Sequence, residues 1–378
     1  IDPDNQTVKE MEAEKTETGD VAVDTDHFSR YKIQLLAAGE LPEIIGKDTF
    51  KDGGEYKLTA DVRTDANIGQ VLITAAIPTT IDLNGHTLTI SGDNQCFVVQ
   101  NGAKLIIKDD SQQAPKETVT TGGDTLYGNK ASLTGDTLTY YITESTANDT
   151  GTGTTETLEQ HTVTLTKAGK ILSGVPSDQL IKVQNGCTLE LQSGVLQNTG
   201  GKHIVSVDGG MLDVKGGYIV GGGNENGDTG GGIYVDNKGT VNIENGVVAA
   251  NRGNAGGGIH VKSGTLNIAG GAVTGNWVND GHNTGGGIFV ENGTLNLSGG
   301  YVTNNYKSCD CKVCQEDVDN KHGGGGIALA NSSVMIMTGG YVTGNYSGLA
   351  GGGIYAGFCD QKVKFTMNGG TIASNCAG

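Results

Sequence analysis

Gly230-Gly231-Gly232-Ile233-Tyr234-Val235, Gly239-Thr240-Val241-Asn242-Ile243 and Gly246-Val247-Val248-Ala249-Ala250-Asn251 are three short segments that return together, in this order, through the C-terminal part of the chain. The Gly-Gly-Gly-Ile phrase ends at Ile233, Ile259, Ile288, Ile327 and Ile354, so its steps are 26, 29, 39 and 27 residues. Within each step the apolar residues alternate in twos and glycine interrupts them, whereas helical repeats need long stretches of 3.6-residue periodicity. The Gly-Gly-x-Gly-x-Asp nonapeptide of calcium-binding β-rolls is absent from the sequence. Three strands and three corners per coil predict an all-β, parallel β-helix solenoid.

In such a rod successive coils stack about 4.8 Å apart, so each position in the coil becomes a row along the molecule. Val241 and Ile243, Leu266 and Ile268, Leu295 and Leu297 are predicted to point inward, with Asn242, Asn267 and Asn296 between them pointing out. The 64 glycines suit the corners, and 35 % hydrophobic with 5 % aromatic residues suffices for a thin core. The third strand carries an aliphatic-x-x-Asn signature, giving a ladder of Asn251, Asn276, Asn305, Asn345 and Asn375. These asparagines are expected to take a left-handed corner conformation and to bond their neighbours one coil away.

The same register continues upstream in Gln95–Gly102, Leu105–Ile107, Gln179–Gly186, Leu189–Leu191 and Met211–Ile219, giving about eight coils from Leu105 onward. Residues 56–90 read as the opening coil, so the solenoid is assigned to 56–378. Residues 27–55 are expected to cap its end, with a helical first half, and 1–26 to be an acidic linker or disordered tail. The chain stops where another Gly-Gly-Gly-Ile would begin, which suggests a fragment of a longer solenoid.

Two insertions break the period. Residues 109–178 form a Thr-rich excess with hairpin character, Thr137 to Thr143 facing His161 to Thr166. The second is a Cys-rich loop over 306–323. There Cys309, Cys311, Cys314 and His322 compose a set suited to tetrahedral zinc, whereas Cys359 in the following coil and Cys376 in the last allow cross-coil disulfides; free thiols are the third reading. Cys96 and Cys187 are expected to be buried thiols.

Tyr218, Tyr301 and Tyr341 occupy equivalent third-strand positions and are the candidate binding residues, as an aromatic row able to meet sugar rings or a partner protein. Tyr234, Phe289, Tyr306, Tyr346 and Tyr355 are further aromatics expected to be exposed near corners. Against 42 acidic side chains stand 25 basic ones, a net charge of −17 that disfavours nucleic acid, anionic membranes and polyuronates as partners. No stretch is long and apolar enough for a membrane helix.

The Gly-Gly-Gly-Ile and aliphatic-x-x-Asn phrases resemble the Gly-Gly-Ala-Ile and Phe-x-x-Asn repeats of polymorphic outer membrane proteins. From Lys57 onward the chain is similar to the right-handed parallel β-helix (pectin-lyase-like) regions of bacterial surface proteins. Ile81-Asp82-Leu83-Asn84-Gly85-His86-Thr87-Leu88 resembles the first coil of many of them. Valine or isoleucine stands where the polymorphic proteins have phenylalanine. The resemblance implies an extracellular bacterial adhesin or passenger stalk, with a host protein, glycoprotein or neutral glycan as partner. The same fold hosts polysaccharide lyases and hydrolases, so catalysis is the alternative and a plain spacer the third reading. The one adjacent aspartate pair is Asp109-Asp110, and no Gly-His-Gly or Arg-x-Lys accompanies it. Asp208, Asp213, Asp236, Glu244 and Glu291 are outward-facing carboxylates, read as a solvated strand face. No catalytic residue is assigned.

Overall fold

The computed structural model describes residues 13–15, 21–23 and 31–36 and, from 50 to 378, all but 51, 65–68, 93–95, 112–114, 123–126, 148–153, 175–178, 199–200, 224–229, 280–283, 309–322, 349 and 358–361. The described secondary structure is all strand, and the architecture is a parallel β-helix. Three parallel ribbons, A, B and C, run its length.

Ribbon B stacks ten strands, at Gly54–Leu58, Thr79–Asp82, Lys104–Lys108, Thr188–Leu191, Met211–Val214, Gly239–Ile243 and within Ile259–Ile268, Ile288–Leu297, Val334–Thr343 and Lys364–Ala373. Eight of these begin at or after Lys104, as the spacing predicts. Ribbon C follows each of them, from Val62–Arg63 through Val195–Asn198, Tyr218–Val220, Val247–Ala249, Ala272–Thr274 and Tyr301–Thr303. Ribbon A carries the Ile233, Ile259, Ile288, Ile327 and Ile354 strands in register.

The core is one continuous column. Val241, Leu266, Leu295 and Met335 form one of its rows, Ile243, Ile268, Leu297 and Met337 another, all buried. Each such side chain contributes about 1.5–3 kcal/mol of hydrophobic stabilisation. Cys187 belongs to this column, and Cys96 is buried as well; neither is in a disulfide.

The asparagine ladder is present, with a different local geometry from the one expected. The left-handed residue is the one before each asparagine: Ala250 (φ 54°), Gly275 (φ 60°), Asn304 (φ 52°), Gly344 (φ 63°) and Ser374 (φ 54°). That turn swings the next side chain inward. Asn251, Asn276, Asn305 and Asn345 are therefore wholly buried, and each donates Nδ2–H to Oδ1 of the asparagine one coil on, at 2.9–3.0 Å.

The N-terminal expectations need correction. Tyr31–Leu36 is a strand, parallel to Gly54–Leu58, and not the first half of a helix. Its Tyr-x-Ile-x-Leu alternation has a period of two, which favours pairing with the exposed strand edge beside it. Within the segment expected to be an unstructured tail, Ala13–Lys15 and Val21–Val23 pair antiparallel, and Val21–Val23 pairs with Tyr31–Leu36.

The 109–178 insertion folds into a four-stranded antiparallel sheet in the order Lys116–Thr121, Thr154–Thr164, Thr137–Ala147, Ser132–Thr134. Its central hairpin is longer than predicted and slipped in register, Thr137 facing Thr164 and Ala147 facing Thr154. The sheet lies on the outer face of ribbon C. Leu138, Tyr140, Val163 and Leu165 pack there against Val195, Val220, Ala249 and Ala250 as a second apolar core.

Candidate functional site

The tyrosine row sits on the ribbon C face that the insertion covers. Tyr218 packs against the second apolar core and is not the freely exposed ring expected of it. Burial pushes its phenol up to about 12. Tyr301 and Tyr341 lie on adjacent coils with centroids 5.0 Å apart and planes 14° apart. Stacked in this way, the rings turn their faces to each other and their edges outward. The Tyr301 hydroxyl donates to Glu144 of the insertion at 2.9 Å; burial and that carboxylate push it up to about 12.

Ribbon A presents two outward rows. One runs Ser206, Tyr234, His260, Phe289 and Ala328, the other Asp208, Asp236, Lys262 and Glu291. Tyr234 and His260 meet edge to face at 5.4 Å, and His260 and Phe289 stack at 5.1 Å. Phe289 and His260 are buried, contrary to the exposure expected of Phe289, because the aromatic row fills its own gaps.

The carboxylates of this face are engaged by the chain itself. Hydrogen bonds from Asn237 and Lys182 hold Asp208 below the usual carboxylate range. Contact with His260 does the same for Glu291, outweighing burial; at 3.4 Å this is a long polar contact and not a well-formed hydrogen bond. Burial works to raise Asp236, yet bonds from Ser263 (2.8 Å) and the Asn237 amide (2.8 Å) leave it lowered. Such a face offers fixed anionic oxygens and partly covered aromatic edges; the general acid of a glycosidase needs the opposite shift.

Asp109 and Asp110 are also committed. Asp109 accepts from the amides of Gly85 (2.7 Å) and Gly169 (2.6 Å), which seats the mouth of the insertion. Asp110 pairs with Lys108 at 2.6 Å. Among the described residues Glu55, Asp82 and Asp110 bring ligand atoms within 4.8 Å of one another. Lys57 on Asp82 (2.9 Å) and Lys108 on Glu55 (2.9 Å) already offset two of its three charges. Cys309, Cys311, Cys314, His322 and Cys359 lie outside the described residues; Cys376 is a partly exposed free thiol.

No family model, no curated protein and no solved structure matches this chain.

One row escaped the sequence reading. A fourth, short ribbon, just past the asparagines, aligns Arg252, Trp277, Tyr306, Tyr346 and Cys376. Tyr306 and Tyr346 stack at 5.1 Å. The insertion adds to the row: Tyr127 lies parallel to Tyr346 at 6.1 Å, and the Lys130 ammonium sits 4.0 Å from the Tyr306 centroid. The signal was present as an aromatic immediately after Asn276, Asn305 and Asn345.

Proposed function

We propose that the chain is the rod of an extracellular bacterial surface protein, an adhesin or passenger stalk whose partner is a host protein, glycoprotein or neutral glycan. The observation that carries this reading is the commitment of the outward polar groups to the rod's own rows. Asn242, Asn267 and Asn296 bond one another along ribbon B at 2.7–2.8 Å, and Asp208, Asp236, Glu291, Asp109 and Asp110 are each held by neighbours. Groups fixed in this way suit a stiff presenting surface better than a proton-transfer site. The likeness of the repeats to bacterial surface β-helices and the net charge of −17 favour the same partners.

A carbohydrate-active enzyme of the pectin-lyase-like class is the second reading. It is favoured by one arrangement, the acidic side chains Asp208, Asp236 and Glu291 spread over neighbouring coils of ribbon A beside Tyr234 and His260. A purified-chain screen against glycan arrays and host extracellular proteins, with product analysis of every glycan hit, separates the readings. Saturable binding with intact glycan is expected. Cleaved glycan overturns the adhesin in favour of the enzyme, and silence leaves a spacer.

A further inference from the structure

We propose that the insertion is a longitudinal splint, tying six consecutive coils together so that they yield as one unit. In a plain solenoid each coil touches only its neighbours, and the rod can peel from an end one coil at a time. Here a single strand of the insertion advances along the rod. Leu138 packs in the apolar core with Val195, Val220 and Ala249; the Tyr141 carbonyl accepts from Thr274 Oγ1; and Thr143 meets both Thr303 and Thr343. Thr143 and Thr343 are 200 positions apart. Separating those coils means stretching covalent backbone or stripping the strand off.

Both partners are shaped for the contact. Outward positions of ribbon C beneath the strand are small, Ala249, Thr274, Thr303 and Thr343, and all four are buried. Thr143 donates its amide to Thr303 Oγ1 at 3.2 Å and accepts at Oγ1 from Asn304 Nδ2 at 2.9 Å. The segment Tyr127–Ala131 then closes the far end as a latch. Gly128 N–H donates to the Gly344 carbonyl (2.7 Å), Ala131 N–H to the Gly275 carbonyl (3.0 Å) and Asn129 Nδ2 to Asn304 Oδ1 (2.9 Å). A Cβ on Gly128 would fall 2.7 Å from Tyr346 Cβ, and one on Gly275 only 2.3 Å from Ala131 N, so glycine is required on each side of the seam. Lys130 over Tyr306 and Tyr127 against Tyr346 complete the grip.

The inference stands whatever the rod binds, so a silent ligand screen leaves it intact. Single-molecule pulling on the whole chain from its ends tests it. A splinted rod releases the chain from Val195 to Tyr346 in one event of about 500 Å, whereas independent coils release about 100 Å each. Opening the latch and strand with Tyr127→Ala, Lys130→Ala and Thr143→Ala together is expected to split the large event into coil-sized ones. Coil-by-coil release of the unaltered protein overturns the proposal, as does a single large event that survives the triple substitution. Should that variant not fold, hydrogen exchange of the unaltered protein decides. Equal protection of the Val248–Asn251 and Val342–Asn345 amides is expected, and protection at least tenfold weaker at Val342–Asn345 overturns it. Trp277, the sole tryptophan, reports latch opening by its fluorescence.

Discussion

Asn305 makes four hydrogen bonds with one side chain. Its Oδ1 accepts from the Asn276 amide (3.1 Å) and Asn276 Nδ2 (3.0 Å), while its Nδ2 donates to the Val273 carbonyl (2.9 Å) and Asn345 Oδ1 (3.0 Å). An amide supplies two acceptor sites and two donors, so nothing in this buried row is left over. Asn305→Ala strands two buried donors of Asn276, each costing about 1–3 kcal/mol. A loss of about 3 kcal/mol in urea unfolding is therefore expected. Asn305→Asp is expected to be as damaging at neutral pH, because an ionised carboxylate cannot donate to Val273 O or Asn345 Oδ1. Its deficit should shrink on acidification, when the carboxyl regains a proton to donate; a pH-independent deficit would show that shape, not hydrogen bonding, fixes the row.

At the scale of the coil, the triple glycine needs space more than unusual dihedrals. A Cβ on Gly257 would lie 2.4 Å from the Gly286 carbonyl oxygen and 2.5 Å from that of Trp277, and one on Gly258 2.8 Å from Asn276 Nδ2. Gly257→Ala is expected to cost about 3 kcal/mol or more, since the obstacle is backbone of the next coil and cannot step aside. Gly102 is the contrast: nothing lies within 4 Å of its Cβ position, but its φ is +77°. Gly102→Ala is expected to cost about 1 kcal/mol, from strain alone. Urea midpoints of the two variants, compared side by side, check both.

This also shows why the coils were legible in the sequence and the insertion's placement was not. Ile233, Val241 and Val248 advertise the rod by recurring with their neighbours, because every coil meets the same surroundings. Leu138 and Thr143 face Ala249, Thr303 and Thr343, which recur from coil to coil, but they themselves belong to no repeat and lie far from those partners in sequence. The covering of Tyr218 and the Tyr301 bond to Glu144 follow from that docking, so the candidate binding row could be located but its accessibility could not. The helical reading of 31–36 failed because Tyr31-Lys32-Ile33-Gln34-Leu35-Leu36 is too short for either period to dominate without its partner strand.

Over the whole molecule two electrostatic effects oppose each other as pH falls. With 42 acidic and 25 basic side chains, protonation toward the isoelectric point near 4.7 relieves self-repulsion. Asp208 and Glu291, whose carboxyls are held below their unfolded values, stabilise the fold above the ordinary carboxylate range and lose that contribution as pH drops through their lowered folded values. Stability by urea midpoint is expected to rise slightly from pH 8 to about 5 and to fall below about 4. A steady rise to pH 3 would mean that the ribbon A pairs contribute nothing.

The splinting strand precedes almost everything it straps. Thr143 leaves the ribosome 200 residues before Thr343, and at about 5–20 residues per second that is a wait of roughly 10–40 s. For about the first half of that interval, until Val195, Val220 and Ala250 have followed, Leu138, Tyr140 and Val163 have no finished wall to rest against. Birth order thus leaves the strap waiting within a nascent molecule whose finished form it secures, and any factor that attends this chain during synthesis has those three side chains to shield.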